Sequence, residues 1–180
     1  MDKVHVIYGS TTGMTEAVAQ RIAADFGTTA LNVASAGADA FDAELVFLGT
    51  STWGCGDPQD DWAATGLPLL EAADWTGRKV AVFGLGDAQG FADTFCDAAA
   101  DLANKAVEKG ATLVGTLPLD AFPGVSSKIV AGDRLLGLAL DEANEADKTD
   151  ARLAAWDVPA RDGPAPPPAR GAVGRCGRIC

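Results

Sequence analysis

The sequence has few basic residues for its length. Its 180 residues include 14 Lys and Arg against 25 Asp and Glu, which gives a formal net charge of −11. Binding to nucleic acid or to an anionic lipid surface needs a basic face that neutralises phosphates, so this charge argues against both kinds of partner. No stretch approaches the roughly 20 apolar residues of a membrane span, and Met1 is not followed by a signal-peptide pattern.

Cysteine is also scarce. The four cysteines are Cys55, Cys96, Cys176 and Cys180. They form no CxxC pair, and four cysteines in a chain of this length do not make a disulfide scaffold or a metal site with the usual ligand spacing. We therefore expect no metal centre and a reducing, cytoplasmic setting.

Apolar runs alternate with longer amphipathic stretches along the chain, which predicts an α/β fold. Short apolar runs, several of them ended by glycine, are typical of strands buried on both faces, and the stretches between them have helical periodicity. We predict strands at 4–8, 31–33, 45–49, 80–84 and 112–116, and helices at about 12–26, 95–109 and 149–156. Strand–helix–strand order favours parallel pairing in a three-layer, open, doubly wound sheet.

The pattern changes in two later segments. Residues 117–134 are rich in proline and glycine, after which 135–140 resume strand character, so we predict a fifth strand interrupted by an inserted loop. Proline-rich sequence begins after Trp156. We expect one domain at 1–156, with a net charge of −13, and a Pro/Arg-rich tail at 157–180, with a net charge of +2, outside the core.

Three loops follow predicted strands one, three and four, at the edge where open α/β sheets bind ligands. Loop 1 (residues 9–15) offers four hydroxyls and backbone N–H groups at the start of a helix, which suits a phosphate. It has neither the lysine of a Walker P-loop nor the GxGxxG pattern. A Ser/Thr helix cap with a glycine turn is the plain structural alternative.

Loop 2 (residues 50–57) and loop 3 (residues 84–91) each combine glycines with an aromatic side chain. Trp53 lies in loop 2 and Phe91 ends loop 3. An exposed tryptophan is costly unless a flat ligand covers it, although Trp53 could instead fold back onto the core. Together the three loops predict a planar ring held between Trp53 and Phe91, with its phosphate in loop 1.

These motifs resemble the flavodoxin family of the long-chain type over residues 3–156. The family's phosphate loop, (S/T)xTGxT, is matched by residues 10–15, its first flavin loop by residues 52–54, and its second by residues 84–87 and 91–93. Residues 137–142 and 149–156 resemble its last strand and helix, and the insert at 117–134 corresponds to the loop of long-chain members. Phe91 stands where the family usually has tyrosine, and Met14 where a polar residue is common.

The resemblance implies a flavodoxin-like sheet of order 2-1-3-4-5 and one non-covalently bound FMN. It implies a monomeric carrier of single electrons at low potential, not a catalyst, whose partners are proteins with basic docking faces, of the reductase, oxidoreductase or nitrogenase type. The residues that the resemblance assigns to FMN are Ser10, Thr11, Thr12, Gly13, Met14, Thr15, Ser51, Thr52, Trp53, Gly54, Cys55, Gly56, Leu85, Gly86, Asp87, Phe91, Thr94 and Cys96.

The resemblance also assigns a mobile peptide to the flavin site, at Gly54–Cys55, which would turn its carbonyl toward the reduced ring. Glycine at position 54 permits that rotation, since a residue without a Cβ reaches positive φ easily. Two other functions remain open from the sequence. One is an FMN-dependent quinone or NAD(P)H reductase, although we find no second nucleotide motif; the other is a phosphate-binding signalling module, disfavoured because Thr50 stands where a receiver domain needs aspartate.

Overall fold

The computed structural model describes residues 2–159. The main strands are β1 (Asp2–Tyr8), β2 (Ala30–Asn32), β3 (Ala43–Trp53), β5 (Lys79–Gly86) and β10 (Leu138–Asp141), and the two-residue strand β4 (Asp57–Pro58) pairs antiparallel with the end of β3. The central sheet is parallel along the order β2-β1-β3-β5-β10. Numbered as five main strands this is the order 2-1-3-4-5, so the predicted fold class and strand order are confirmed.

The fifth main strand is divided, as predicted. The two-residue strand β6 (Thr112–Leu113) pairs with the start of β5, and β10 pairs with the end of the same strand. The intervening segment contains β7 (Leu117–Pro118), β8 (Val130–Ala131) and β9 (Arg134–Leu135), which form a separate antiparallel sheet. The sequence predicted only loops in the insert, because two-residue strands give no alternating pattern.

Helices cover both faces of the central sheet, which makes the three predicted layers. They are α1 (Met14–Asp25), a π-helical turn (Trp62–Gly66) continued by α2 (Leu67–Ala72), α3 (Asp97–Glu108) and α4 (Thr149–Ala155). Short 3-10 turns lie at Val33–Ser35, Ala38–Phe41, Leu119–Ala121 and Ala146–Lys148. Within residues 2–159, no helix combines the length and the apolar character needed to cross a bilayer.

The helical segment from Trp62 to Ala72 was not predicted. Its first part is a π-helical turn, whose five-residue bonding pattern has no simple sequence period, and Pro68 lies where the α-helix begins. Trp62 is fully buried in this segment, and its indole Nε1 donates to the carbonyl of Gly49 at 2.8 Å. The tryptophan thereby ties the segment to the middle of β3.

Core packing extends slightly past the expected domain end. Trp156 donates from Nε1 to the carbonyl of Gly115 at 2.7 Å, and Val158 is buried with it. Val158 thus packs in the core two residues past the boundary that we placed after Trp156, and the division into a domain and a tail stays a prediction. The prediction for the rest of the tail, residues 160–180 with Cys176 and Cys180, lies outside the described residues.

Candidate functional site

The segments that follow β1, β3 and β5 meet at one edge of the central sheet, where they surround an open cavity of about 660 Å3. This volume is typical of a small-molecule or cofactor site. Another cavity, of about 790 Å3, opens where β1 begins and α1 ends, and none of the predicted site residues lines it. Of these two cavities, it is the first that joins the three loops selected from the sequence.

Thirteen of the eighteen predicted site residues line this cavity. They are Thr12, Met14, Thr15, Ser51, Thr52, Trp53, Gly54, Leu85, Gly86, Asp87, Phe91, Thr94 and Cys96. The other five, Ser10, Thr11, Gly13, Cys55 and Gly56, belong to the adjoining turns but do not line it. The strands also reach further than predicted, since β3 ends at Trp53 and β5 at Gly86.

Two exposed aromatic side chains face the cavity. Trp53 is 48% exposed and Phe91 is 58% exposed, although such large apolar groups are usually buried. The indole Nε1 of Trp53 donates to the hydroxyl of Ser51 at 2.8 Å, which holds the ring out of the core. Trp53 therefore does not fold back onto the core. Aromatic faces exposed beside an otherwise apolar cavity suit a flat, conjugated ligand.

Loop 1 ends in a helix start that can receive an anion. Gly13 adopts a left-handed conformation, with a φ of +86°, and its amide donates to the Ser10 hydroxyl at 3.0 Å. Helix α1 then begins at Met14, and the first amides of a helix have no acceptor within that helix. Glu16 lies in this first turn, and its carboxylate accepts from the Gln20 side chain one turn further along the helix. Free amides and the helix dipole favour one phosphate group here.

Loop 3 is held in a tight turn by the Asp87 carboxylate, and the amide of Ala88 in the same loop donates to the Asp141 carboxylate at 3.1 Å. Asp87 Oδ1 accepts from the amide of Gly90 at 2.7 Å, from that of Gln89 at 3.0 Å and from the side-chain amide of Asn144 at 2.8 Å. These bonds, that of Gly90 foremost, lower the pKa of Asp87 below its ordinary value. The turn places Phe91 at the cavity rim.

Loop 2 is attached to the start of α3. The Thr52 hydroxyl accepts from the amide of Ala98 at 3.2 Å, and the buried Asp97 carboxylate accepts from the amide of Lys128 at 2.7 Å. A Cβ at Gly56, whose φ is +110°, would lie 3.0 Å from the other Asp97 oxygen. Burial raises the pKa of Asp97, and the Lys128 amide opposes that rise.

The two cysteines beside the cavity differ in environment. Cys96 is fully buried just before α3, with a φ of +56°, and burial raises the pKa of its thiol. A neutral, enclosed thiol packs as a small apolar group and does not react as a thiolate. Cys55 is exposed in loop 2. Within residues 2–159, no group of three or more His, Cys, Asp or Glu side chains is arranged to hold a metal ion.

The structure adds residues that sequence patterns did not select. Phe95, Glu142 and Ala143 also line the cavity. Glu142 and Ala143 follow β10 and reach the site only because that strand lies beside β5. Gln59 is buried behind loop 1 and donates from Nε2 to the Thr11 hydroxyl at 3.3 Å. No local motif marks Gln59, since its partner lies 48 positions earlier in the chain.

Comparisons with known proteins identify relatives of similar sequence and fold. The family model described as Flavodoxin matches residues 6–156. A flavodoxin of Trichodesmium erythraeum is 37% identical over 161 residues, covering 87% of this chain and 94% of that protein. Flavodoxin 1 of Azotobacter vinelandii is 35% identical over 163 residues, with 87% and 94% covered. The crystal structure of a Fusobacterium nucleatum flavodoxin bound to flavin mononucleotide superposes with a TM-score of 0.80 at 28% identity, covering 87% of this chain and 95% of that one.

Proposed function

The chain belongs to the flavodoxin family, and from this we propose that it is an electron carrier that transfers single electrons at low potential on one non-covalently bound FMN. One observation carries the proposal. A cavity flanked by two exposed aromatic side chains, Trp53 and Phe91, adjoins the amino-terminal end of α1. This arrangement matches a ligand that is flat at one end and anionic at the other.

The residues present fit FMN. Trp53 and Phe91 would cover the two faces of the ring, while Thr12, Thr15 and the first amides of α1 would hold the phosphate. Ser10, Thr11, Gly13 and Met14 would complete the phosphate side. Ser51, Thr52, Gly54, Cys55, Gly56, Leu85, Gly86, Asp87, Thr94 and Cys96 would surround the ring edge.

When bound, FMN supplies the ability to accept and release electrons one at a time. The chain's own residues would set how readily it does so. The two aromatic side chains would exclude water from the ring faces, and a poorly solvated site disfavours added negative charge. Asp57, Asp60 and Asp93 are exposed in or beside loops 2 and 3. Each charge at ~10 Å, with an effective dielectric near 40, would oppose a further negative charge by about 0.8 kcal/mol before screening.

The same exposed carboxylates support docking to redox proteins with basic faces. Complementary charge accelerates encounter and orients the two proteins. A carrier of this kind needs only an accessible flavin edge and a matching partner surface. We therefore expect an electron-transfer protein that acts between reductases and oxidoreductases, and not an enzyme with its own substrate.

A fluorescence titration tests the proposal. FMN added to the flavin-free protein should lose its emission at a stoichiometry of one, because stacking against an indole quenches the flavin. Trp53→Ala and Phe91→Ala should each weaken binding by about five-fold or more, since each removes a stacking face that contributes ~1 kcal/mol or more. Leu31→Ala, which also removes an exposed apolar side chain but from β2 at the edge of the sheet, is the matched control.

Two outcomes would contradict the proposal. Absence of saturable FMN binding to the wild-type protein would exclude the cofactor. Steady oxidation of NADH or NADPH by the purified, FMN-loaded protein alone would favour the FMN-dependent reductase instead of a carrier.

A further inference from the structure

Gln59 is a buried amide that lies between loop 1 and the end of β3. It is 2% exposed. Its Nε2 donates to the Thr11 hydroxyl at 3.3 Å and to the Asp61 carboxylate at 2.9 Å, and its Oε1 accepts from the Asp61 amide at 3.0 Å. Its own backbone amide donates to the Thr50 hydroxyl at 3.4 Å. Every polar group of Gln59 thus has a partner.

The bonds to Asp61 fix the orientation of the Gln59 amide. The Asp61 backbone N–H is only a donor and must face the oxygen, whereas the Asp61 carboxylate is an acceptor and must face the nitrogen. The second N–H of Gln59 therefore points at Thr11. A flipped amide would lose both bonds to Asp61, the one to its backbone amide and the one to its carboxylate.

This orientation of the Gln59 amide restricts the direction in which the Thr11 hydroxyl can donate its proton. A threonine hydroxyl carries a single proton, and Thr11 Oγ1 already accepts a bond from Gln59. Its own proton must therefore point elsewhere, and Thr11 is exposed on the loop that precedes α1. Thr11 lies in the same loop as Thr12 and Thr15, which the proposed function assigns to the phosphate, so its hydroxyl is placed on the phosphate side of the site.

We propose that Gln59 is a positioning residue that turns the Thr11 hydroxyl proton toward the phosphate of FMN. The inference rests on the proposed FMN site. In it Thr11 contacts the phosphate, and Gln59 acts only by orienting Thr11. A hydroxyl already oriented toward the anion loses less rotational freedom when it binds. Gln59 would thus favour a phosphorylated flavin over one without phosphate.

Gly9 provides the space that this arrangement needs. A Cβ at Gly9 would lie 2.3 Å from Gln59 Oε1 and 2.6 Å from Trp62 Cδ1. Any larger residue at position 9 would displace the amide from behind loop 1. Glycine directly after β1 therefore leaves room for Gln59 behind loop 1.

The test compares two flavins that differ only in the phosphate. Dissociation constants for FMN and for riboflavin are measured by fluorescence with the wild-type protein and with Gln59→Met, which keeps the volume but cannot donate. We expect Gln59→Met to weaken FMN binding about three- to ten-fold and to leave riboflavin binding unchanged. Thr11→Val removes the hydroxyl itself and should weaken FMN binding about ten-fold or more, as for loss of a hydrogen bond to a charged group.

A double-mutant cycle shows whether Gln59 acts through Thr11. In the Thr11→Val background, Gln59→Met should cause no further loss of FMN affinity. Gln20→Met is the matched control, because Gln20 is exposed on α1 and bonds only to Glu16 there. Thermal unfolding of each flavin-free variant checks the fold, and Thr11→Val, on an exposed loop, tests the phosphate contact even if Gln59→Met does not fold.

Three results would overturn the inference. An equal loss of FMN and riboflavin affinity in Gln59→Met would mean a structural role only. An undiminished effect of Gln59→Met in the Thr11→Val background would exclude action through Thr11, and unchanged FMN affinity in Thr11→Val would exclude the phosphate contact. Failure of the wild-type protein to bind FMN would instead contradict the proposed function, so the two failures are distinguishable.

Discussion

Single residues around the cavity hold conformations that ordinary side chains avoid. Gly54, immediately after Trp53, has a φ of +52°, in the left-handed region that favours glycine. A Cβ there would lie 3.3 Å from the Asp57 carboxylate, which is at the end of a flexible side chain and can move. Substitution of Gly54 is therefore a test of backbone freedom more than of space.

Gly54→Ala should bring the two one-electron potentials of the FMN-loaded protein closer together. Alanine at this φ costs about 1 kcal/mol and restricts the peptide that we expect to rotate toward the reduced ring. A potentiometric titration measures the separation. Gly77→Ala is the matched control, since Gly77 has a φ of +74° and open space around its Cα but lies before β5, away from the cavity. Equal potentials in Gly54→Ala and the wild type would show that this peptide does not move.

Asp97 provides a pH-dependent test of the site. Burial raises its pKa, so its ionised form is disfavoured in the folded protein. Asp97→Asn should increase the free energy of unfolding at pH 7, because asparagine can still accept from Lys128 without a buried charge. The advantage should shrink as the pH falls through the raised pKa of Asp97 and vanish below about pH 3.9, where the unfolded aspartate is also protonated.

Urea unfolding of Asp97→Asn at pH 7 and at acidic pH measures this difference. Asp25→Asn, an exposed aspartate at the end of α1, controls for the general relief of negative charge. A lower stability of Asp97→Asn at pH 7 would mean that the carboxylate charge itself holds the insert to α3.

At the scale of secondary-structure elements, the sequence predicts what short-range patterns encode. The buried runs of β1, β3 and β5 and the periodicity of α1 and α3 were found, although boundaries moved by a few residues. Loops 1 to 3 were selected because they follow parallel strands, and eleven of their predicted residues line one cavity, together with the predicted Thr94 and Cys96. Gln59 escaped because its contact with Thr11 is distant in sequence, and the π-helical turn at Trp62 and the two-residue strands of the insert escaped because they have no sequence period.

The insert is hydrogen-bonded to the segment that follows loop 3, beside the cavity. The Ser126 amide donates to the Ala92 carbonyl at 3.1 Å, and the buried Ser127 hydroxyl donates to the Phe95 carbonyl at 2.6 Å. The rings of Phe122 and Phe95 are 4.9 Å apart. Since Phe95 lines the cavity, the insert supports the segment that carries Phe91.

Ser127→Ala should accelerate FMN dissociation and destabilise the protein by about 1–3 kcal/mol. The substitution leaves the buried Phe95 carbonyl without its hydroxyl donor. Stopped-flow release of FMN and thermal unfolding are the measurements. Ser126→Ala is the matched control, because Ser126 is exposed and contributes a backbone bond that alanine retains. Identical FMN release from Ser127→Ala and Ser126→Ala would exclude a role of the insert at the cavity.

At the scale of the whole molecule, the main electrostatic feature is the excess of acidic over basic residues. The net charge is −11, and residues 1–156 alone carry −13. A net charge this far from zero favours solubility. The exposed Asp57, Asp60 and Asp93 differ from the rest because they lie in or beside the loops that border the cavity.

Electron transfer to a reductase with a basic face should slow as ionic strength rises. Salt screens the attraction between the two surfaces, with a Debye length of about 8 Å at 0.15 M. Stopped-flow rates between about 0.02 and 0.5 M salt measure the dependence. Asp93→Asn should reduce the salt dependence of the rate more than Asp25→Asn does, since of these two residues Asp93 lies beside loop 3. A salt-independent rate would mean that the charge does not guide docking.

The central claim is that this chain carries single electrons on bound FMN, and stepwise reduction of the FMN-loaded protein tests it most directly. The absorption spectrum is recorded as electrons are added one equivalent at a time. We expect the yellow protein to pass through a blue, singly reduced form before it bleaches, with two separate one-electron potentials. Direct bleaching in one two-electron step, without the blue form, would contradict the account.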